Sequence, residues 1–128
     1  MGEIVRFPSG DLTLVGEIFR AEKTSLLSPL PAVIPATKPQ PDDRGYAELA
    51  EKIAAHGFLV LIFNFRGTGV SEGDFDLPGW ADDVSAAVDL VLSRGDVRPE
   101  RLAVAGFSGG AAAAVYAAAK DDRVKAVS

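Results

Sequence analysis

Alternating apolar and polar residues near the start of the chain predict two antiparallel strands. The alternation covers Glu3–Phe7 and Leu12–Arg20, and the turn-forming residues 8–11 (Pro-Ser-Gly-Asp) separate the two segments. Strands of this pattern place one face against a core and the other towards solvent. The chain is therefore predicted to begin with a β-hairpin.

Apolar runs further along the chain are typical of strands that are buried on both faces of a parallel sheet. These runs are Ala32–Ala36, Phe58–Phe65 and Arg101–Gly106, and another begins at Arg123–Ser128. Pro35 is unusual for such a strand, because proline cannot donate a backbone hydrogen bond.

Helical periodicity separates these runs. A helix with a candidate cap at Asp42 or Asp43 ends at Gly57, and one apolar stripe runs along it: Tyr46, Leu49 and Ile53. The segment Gly109–Lys120 consists almost entirely of alanine, which has a high helix propensity and little side-chain volume. We expect this last helix to pack closely against its neighbours.

A further helix lies between Phe58–Phe65 and Arg101–Gly106, and its apolar stripe is Trp80, Val84, Val88 and Val91. Asp82 and Asp83 are predicted to lie in its first turn, where carboxylates favour the helix dipole. Four acidic residues cluster in this region without a histidine nearby: Asp74, Asp76, Asp82 and Asp83. We interpret them as solvated carboxylates and expect no metal site.

The order of these elements predicts an α/β fold. A hairpin followed by strands alternating with helices indicates a three-layer arrangement, in which a mainly parallel sheet carries helices on both faces and an antiparallel hairpin at its N-terminal end. Neither a repeat nor a linker interrupts the pattern, so residues 1–128 are expected to form one domain.

Composition narrows the possible partners. The net charge is −5 and no basic run is present, so we expect no nucleic-acid partner. No apolar run is long enough to span a bilayer, and cysteine is absent, which fits a cytoplasmic protein without disulfides. The glycines at 67, 69 and 73 depart from the dinucleotide-binding spacing, and the segment SGGAAAA at 108–114 lacks the phosphate-binding G-K-[ST] motif, so no cofactor is predicted.

The sequence GFSGG at 106–110 matches the G-x-S-x-G pattern between an apolar strand and a helix. In that context Ser108 would project from a sharp turn, and the amide of Gly109 would face a developing oxyanion. Gly106 and Gly110 would be needed because a Cβ at either position would collide with the adjoining strand and helix. The alternative interpretation is a close glycine turn without chemistry.

Several segments give the chain a resemblance to the N-terminal half of the α/β-hydrolase superfamily, with esterase-like or dienelactone-hydrolase-like branches most similar. FNFRGTGVSEG at 63–73 is similar to the segment after the family's fourth strand, and GFSGG to its nucleophile turn. The resemblance implies a serine hydrolase that acts on a small ester or related acyl substrate. It implies Ser108 as nucleophile, Gly109 N–H as one oxyanion donor, and Lys38 N–H as a possible second donor, with Thr37 and Gln40 as alternatives.

The resemblance also implies a base that these residues do not supply. In the family, an acid and then a histidine follow the nucleophile, whereas the single histidine here is His56. His56 is expected at the opposite edge of the sheet, and Asp121 and Asp122 are interpreted as solvated turn residues. We therefore expect a truncated fold that lacks its C-terminal part and is inactive alone, with an unpaired last strand that favours self-association. The alternative is a non-catalytic ligand- or partner-binding module, either a pseudo-hydrolase or flavodoxin-like.

Overall fold

The computed structural model describes residues 2–20, 29–36, 45–68, 71, 73, 76–94, 97–106 and 109–128. Its strands are β1 (Glu3–Ser9), β2 (Leu12–Arg20), β3 (Leu30–Ala36), β4 (Phe58–Asn64), β5 (Ala103–Val104) and β6 (Ala126–Val127). Its helices are α1 (Gly45–Ala54), α2 (Leu77–Ser93) and α3 (Gly109–Lys120), with a short 3-10 turn at Pro99–Arg101. The strands form one sheet in the order β1-β2-β4-β3-β5-β6.

The N-terminal hairpin is confirmed. β1 and β2 pair antiparallel from Glu3 opposite Ile18 to Ser9 opposite Leu12, so β1 extends two residues beyond the predicted segment. β2 also pairs antiparallel with β4, and this pairing joins the hairpin to the parallel part of the sheet. The turn of the hairpin therefore lies at the same edge of the sheet as the carboxyl end of β4.

β3 is a central strand in spite of its prolines. It pairs parallel with β4 along its whole length and with β5 at two positions. The carbonyl of Val33 accepts a hydrogen bond from Ala105 N at 3.0 Å, so odd-numbered residues of β3 direct their backbone groups towards β5. Pro31 and Pro35 share this parity. Their missing N–H groups face the short strand β5, and the long ladder with β4 is left intact.

The helices cover both faces of the sheet, as predicted. On one face α2 and α3 pack together, and the α2 stripe of Trp80, Val84, Val88 and Val91 is buried. Ala113, Ala114 and Ala117 of α3 are buried in the same cluster, which confirms the close approach expected of an alanine helix. α1 packs on the other face.

The predicted stripe of α1 is only partly buried. Tyr46, Leu49 and Ile53 pack against the core on this face of the sheet, but the buried residues of the helix are Ala50 and Ala54. The backbone of α1 therefore lies close to the sheet, and the larger side chains flank the line of contact. Gly57 follows α1 with φ +94°, as the predicted end of the helix requires.

β6 lies at the last position of the sheet, where it pairs with β5 among the described strands. Val127 of β6 is exposed, as are Val115 and Tyr116 of α3. Self-association through this edge stays a prediction. Within the described part of the chain, no helix has the length and apolar character needed to cross a membrane.

Candidate active site

The carboxyl end of β5 and the start of α3 define the candidate site. The ladder continues past Val104, since Ala105 N donates to Val33 O at 3.0 Å and Gly106 N donates to Ser128 O at 2.9 Å. α3 then begins at Gly109, so only residues 107 and 108 connect strand to helix. Ser108 itself lies outside the described residues.

Gly106 and Gly110 flank this connection, and each allows two backbone segments to come close together. A Cβ on Gly106 would lie 2.3 Å from Gly110 O and 2.8 Å from Ala111 Cα. A Cβ on Gly110 would lie 3.3 Å from Pro35 O, at the end of β3. The expected collision is confirmed at Gly106, whereas at Gly110 the added Cβ would make only a tight contact with the end of β3.

The N-terminus of α3 gives this edge of the sheet a local positive potential. The first amides of a helix have no partner within the helix, and the aligned peptide dipoles place partial positive charge there. Gly109, the first residue of α3, is the predicted oxyanion donor. β3 ends at Ala36, beside this turn, and leads into the segment that contains Lys38, which lies outside the described residues.

An ion pair anchors the backbone that follows β4. Asp83 on α2 has no exposed surface, and its carboxylate accepts hydrogen bonds from Arg66 N at 2.8 Å, Arg66 Nη2 at 2.9 Å and Ser9 Oγ at 2.7 Å. Hydrogen bonding to Asp83 raises the pKa of Arg66 above its ordinary value. The pair therefore joins α2, the hairpin turn and the loop after β4.

The interpretation of Asp83 as a solvated first-turn carboxylate is wrong. α2 begins at Leu77, so Asp82 and Asp83 lie in its second turn; Asp82 is exposed but Asp83 is fully buried. A signal was present in the sequence, because Asp83 follows Trp80 by three residues and so shares the apolar face of the helix. A carboxylate on such a face needs a cationic partner, and Arg66 supplies it.

Ser71 provides a second anchor for the loop after β4. Its hydroxyl donates to Asn64 O at 2.7 Å and accepts from Val15 N at 2.9 Å. The loop is thus tied to β2 as well as to α2. Among the described residues, no group of three or more acidic or histidine side chains is arranged to hold a metal ion.

The described part of the molecule contains a cleft that α3 does not line. It has a volume of about 720 Å³ and lies between the hairpin turn and α2, where Asp11, Asp82, Asp89 and Arg66 contribute to its walls. Its described lining includes neither Gly106 nor Gly109.

His56 lies far from the nucleophile turn. It is exposed, in the turn between α1 and the amino end of β4, whereas the nucleophile turn follows the carboxyl end of β5. β4 has seven residues. At about 3.3 Å per residue, the two edges of the sheet are about 20 Å apart. The structure thus agrees with the expected separation of His56 from residue 108.

Asp121 and Asp122 lie at the other end of α3 from the nucleophile turn. Asp121 accepts hydrogen bonds from Arg123 Nη2 at 2.7 Å and Arg123 Nε at 2.9 Å, and Arg123 also pairs with Asp89. Asp122 is exposed. Asp121 therefore lies in a turn, as predicted, but the interpretation of it as solvated is wrong, because its side chain is only 11% exposed. Its guanidinium partner offsets the unfavourable position of a carboxylate at a helix C-terminus.

Asp121→Asn is expected to destabilise the protein at neutral pH and much less in acid. Hydrogen bonds from Arg123 lower the pKa of Asp121, so the folded state favours the carboxylate. This stabilisation is fully present above the unfolded-state pKa, about 4, and is lost as the pH falls through the lowered folded-state value. Urea unfolding of the wild type and variant from about pH 7 to about pH 3 measures the effect. Asp122→Asn is the matched control, and a pH-independent loss in Asp121→Asn would contradict the prediction.

Known proteins share this architecture. The family model described as X-Pro dipeptidyl-peptidase (S15 family) matches residues 21–128. Thiohydrolase apmlB from Arthrinium phaeospermum is 36% identical over 86 residues, which cover 64% of this chain and 28% of that protein.

Solved structures of hydrolases superpose on nearly the whole chain. The α/β hydrolase GrgF from Penicillium sp. sh18 has a TM-score of 0.82 at 27% identity and covers 99% of this chain and 44% of its own. XC6422 from Xanthomonas campestris, described as an a/b serine hydrolase without a lid, has a TM-score of 0.75 at 26% identity, with 93% and 56% covered. The chain thus spans about half the length of these solved structures and less of the curated relative.

Proposed function

The chain belongs to the X-Pro dipeptidyl-peptidase (S15) family, within the α/β-hydrolase superfamily, and we propose that it carries the nucleophile of a serine hydrolase acting on an ester, thioester or related acyl bond. Ser108 is the nucleophile in this proposal. Gly109 N–H and a backbone N–H near Lys38 stabilise the oxyanion. XC6422, a serine hydrolase that shares the fold at 26% identity, supports the choice of a serine nucleophile.

The contact between Gly106 and the first turn of α3 carries the proposal. A Cβ added to Gly106 would lie only 2.3 Å from Gly110 O, so the end of the strand and the start of the helix are in close backbone contact. A serine in such a connection has its hydroxyl at the sheet edge and at a helix N-terminus. There the helix dipole favours the negative charge that develops on the carbonyl oxygen after attack.

The ester or thioester bond is proposed on chemical grounds. Serine attack on an acyl carbon needs an activated leaving group or a well-formed acid–base pair. The alkoxide of an ester or the thiolate of a thioester leaves more readily than the amine of an amide. Thiohydrolase apmlB, at 36% identity over 86 residues, supports this choice, since its name denotes hydrolysis at sulfur.

The base must come from outside these 128 residues in this proposal. The single histidine, His56, lies at the other edge of the sheet, and a general base must lie within hydrogen-bond reach of the proton that it removes. Ser108 in the chain alone therefore has no imidazole to activate it, and the isolated chain is inactive.

We expect the isolated chain to show no more labelling by an alkyl fluorophosphonate than its Ser108→Ala variant. Intact-mass spectrometry measures the stoichiometry after incubation at neutral pH. Ser93→Ala, which removes an exposed hydroxyl from α2, is the matched control. Stoichiometric labelling that Ser108→Ala abolishes and Ser93→Ala preserves would refute the claim that the chain lacks a base.

A non-catalytic binding module is the second candidate function, and the remote position of His56 favours it. Such a module would hold a ligand at the strand ends without acyl transfer. Isothermal titration of the folded chain with a nucleotide or a flavin tests it. Saturable binding that is independent of Ser108 would favour this function over the hydrolase.

A further inference from the structure

The first turn of α3 rests against a buried aromatic side chain. Phe65, the residue after β4, is fully buried, and a Cβ on Gly110 would lie 3.8 Å from Phe65 Cε2. The same Cβ would lie 3.3 Å from Pro35 O. Pro35 O and the Phe65 ring therefore both lie on the side of Gly110 to which a side chain would point, so the first turn of α3 faces the end of β3 and the Phe65 ring together.

The Phe65 ring is held in turn by two other rings. It stacks on the Trp80 indole with the centroids 4.2 Å apart and the planes within 4°, and it meets Phe63 edge-on at 5.4 Å. Stacked and edge-on geometries are the preferred arrangements of aromatic pairs. The ring has little freedom to shift away from α3.

The backbone beside Phe65 is fixed by the same helix that supplies Trp80. The indole N–H of Trp80 donates to Arg66 O at 3.2 Å, and Arg66 N donates to Asp83 at 2.8 Å. Helix α2 thus holds both the Phe65 ring and the peptide groups of the next residue. A continuous set of contacts runs from α2 through Phe65 to the turn that contains residue 108.

We propose that Phe65 is a positioning residue for the nucleophile turn: it sets how closely the first turn of α3 approaches the sheet, and so how the N-terminal amides of α3 face residue 108. This inference rests on the proposed role of Ser108. Phe65 itself touches neither the nucleophile nor the substrate in this proposal. It acts through Gly110 and is supported by Trp80.

A thiol introduced at position 108 reports this geometry without the need for catalysis. The chain has no cysteine, so the Ser108→Cys variant carries a single thiol. A thiol at a helix N-terminus has a pKa below about 8.5, because the helix dipole stabilises the thiolate. The rate of alkylation by iodoacetamide as a function of pH gives that pKa in the isolated chain.

In the Ser108→Cys background, Phe65→Leu is expected to raise the thiol pKa by about one unit, which reduces the thiolate fraction at neutral pH by up to about tenfold. Trp80→Leu is measured in parallel and is expected to raise the pKa in the same direction, because Phe65 then loses the ring on which it stacks. Trp80→Phe, which keeps a ring in that place, should restore most of the lowered pKa. The three variants together make the result independent of the folding of any single one.

Val91→Ala is the matched control. Val91 is fully buried in the same cluster on α2 but lies three turns from Trp80, so its truncation weakens the core without touching the stack. The control should leave the thiol pKa unchanged. Equal pKa values in Phe65→Leu and the Ser108→Cys parent, or an equal rise in Val91→Ala, would overturn the positioning role while leaving the nucleophile turn in place. An ordinary thiol pKa in the parent would instead count against the proposed role of Ser108, and the positioning role would fall with it.

Discussion

Asp83→Asn is expected to lower the free energy of unfolding by about 3–5 kcal/mol, the usual loss when one partner of a buried ion pair is removed. The carboxylate has no exposed surface and accepts hydrogen bonds from Arg66 and Ser9. The variant removes the counter-charge of the Arg66 guanidinium, which is only 17% exposed. It also places an amide group where Arg66 and Ser9 donate hydrogen bonds. The residual exposure of Arg66 places the expected loss towards the lower end of the range. Urea unfolding followed by circular dichroism measures it.

Asp82→Asn is the matched control for this prediction. It makes the same change one residue earlier on α2, where the side chain is exposed, so the free energy of unfolding should stay within about 0.5 kcal/mol of the wild type. Equal losses in the two variants would show that the Asp83 pair does not stabilise the fold.

Gly106→Ala is expected to lower the free energy of unfolding by about 3 kcal/mol or more. Overpacking usually costs about 1–3 kcal/mol when side chains can adjust. Here the new Cβ would lie 2.3 Å from Gly110 O and 2.8 Å from Ala111 Cα, and both are backbone atoms of the first turn of α3. Relief of the clash requires α3 to move away from the end of β5. Chemical unfolding of the isolated chain measures the loss.

Gly110→Ala is the control for Gly106→Ala, because it adds the same methyl group to the other side of the turn. Its Cβ would lie 3.3 Å from Pro35 O, which requires only a small adjustment. Alanine also gains about 1 kcal/mol of helix propensity over glycine. The net change should be close to zero, and a loss as large as that of Gly106→Ala would contradict the interpretation of the turn.

The two pairs of variants test two different regions that support the candidate site. The Asp83 pair fixes the backbone after β4, and the Gly106 contact fixes the start of α3. Phe65 links the two regions through its contact with Gly110. A disturbance of the first turn of α3 can therefore originate in α2.

The sequence by itself predicted the order of the elements and named Ser108 as the candidate nucleophile. Period-two alternation predicted the hairpin, period-3.6 spacing predicted the buried stripe of α2, and the glycines around 108 predicted a close strand-to-helix turn. These features depend on neighbours within a few residues, so they can be read locally. The position of His56 followed from the direction of a connecting helix.

Only the tertiary structure decided which polar and aromatic side chains support the site. Asp83 is buried because Arg66 and Ser9, which lie 17 and 74 residues away in the chain, meet it in the folded protein. The same holds for Phe65, whose contacts with Trp80 and Gly110 join three separate elements. Local periodicity shows which face of a helix is buried, but the partner that makes a buried charge or ring favourable comes from distant segments, and their approach is set by the packing of the whole sheet.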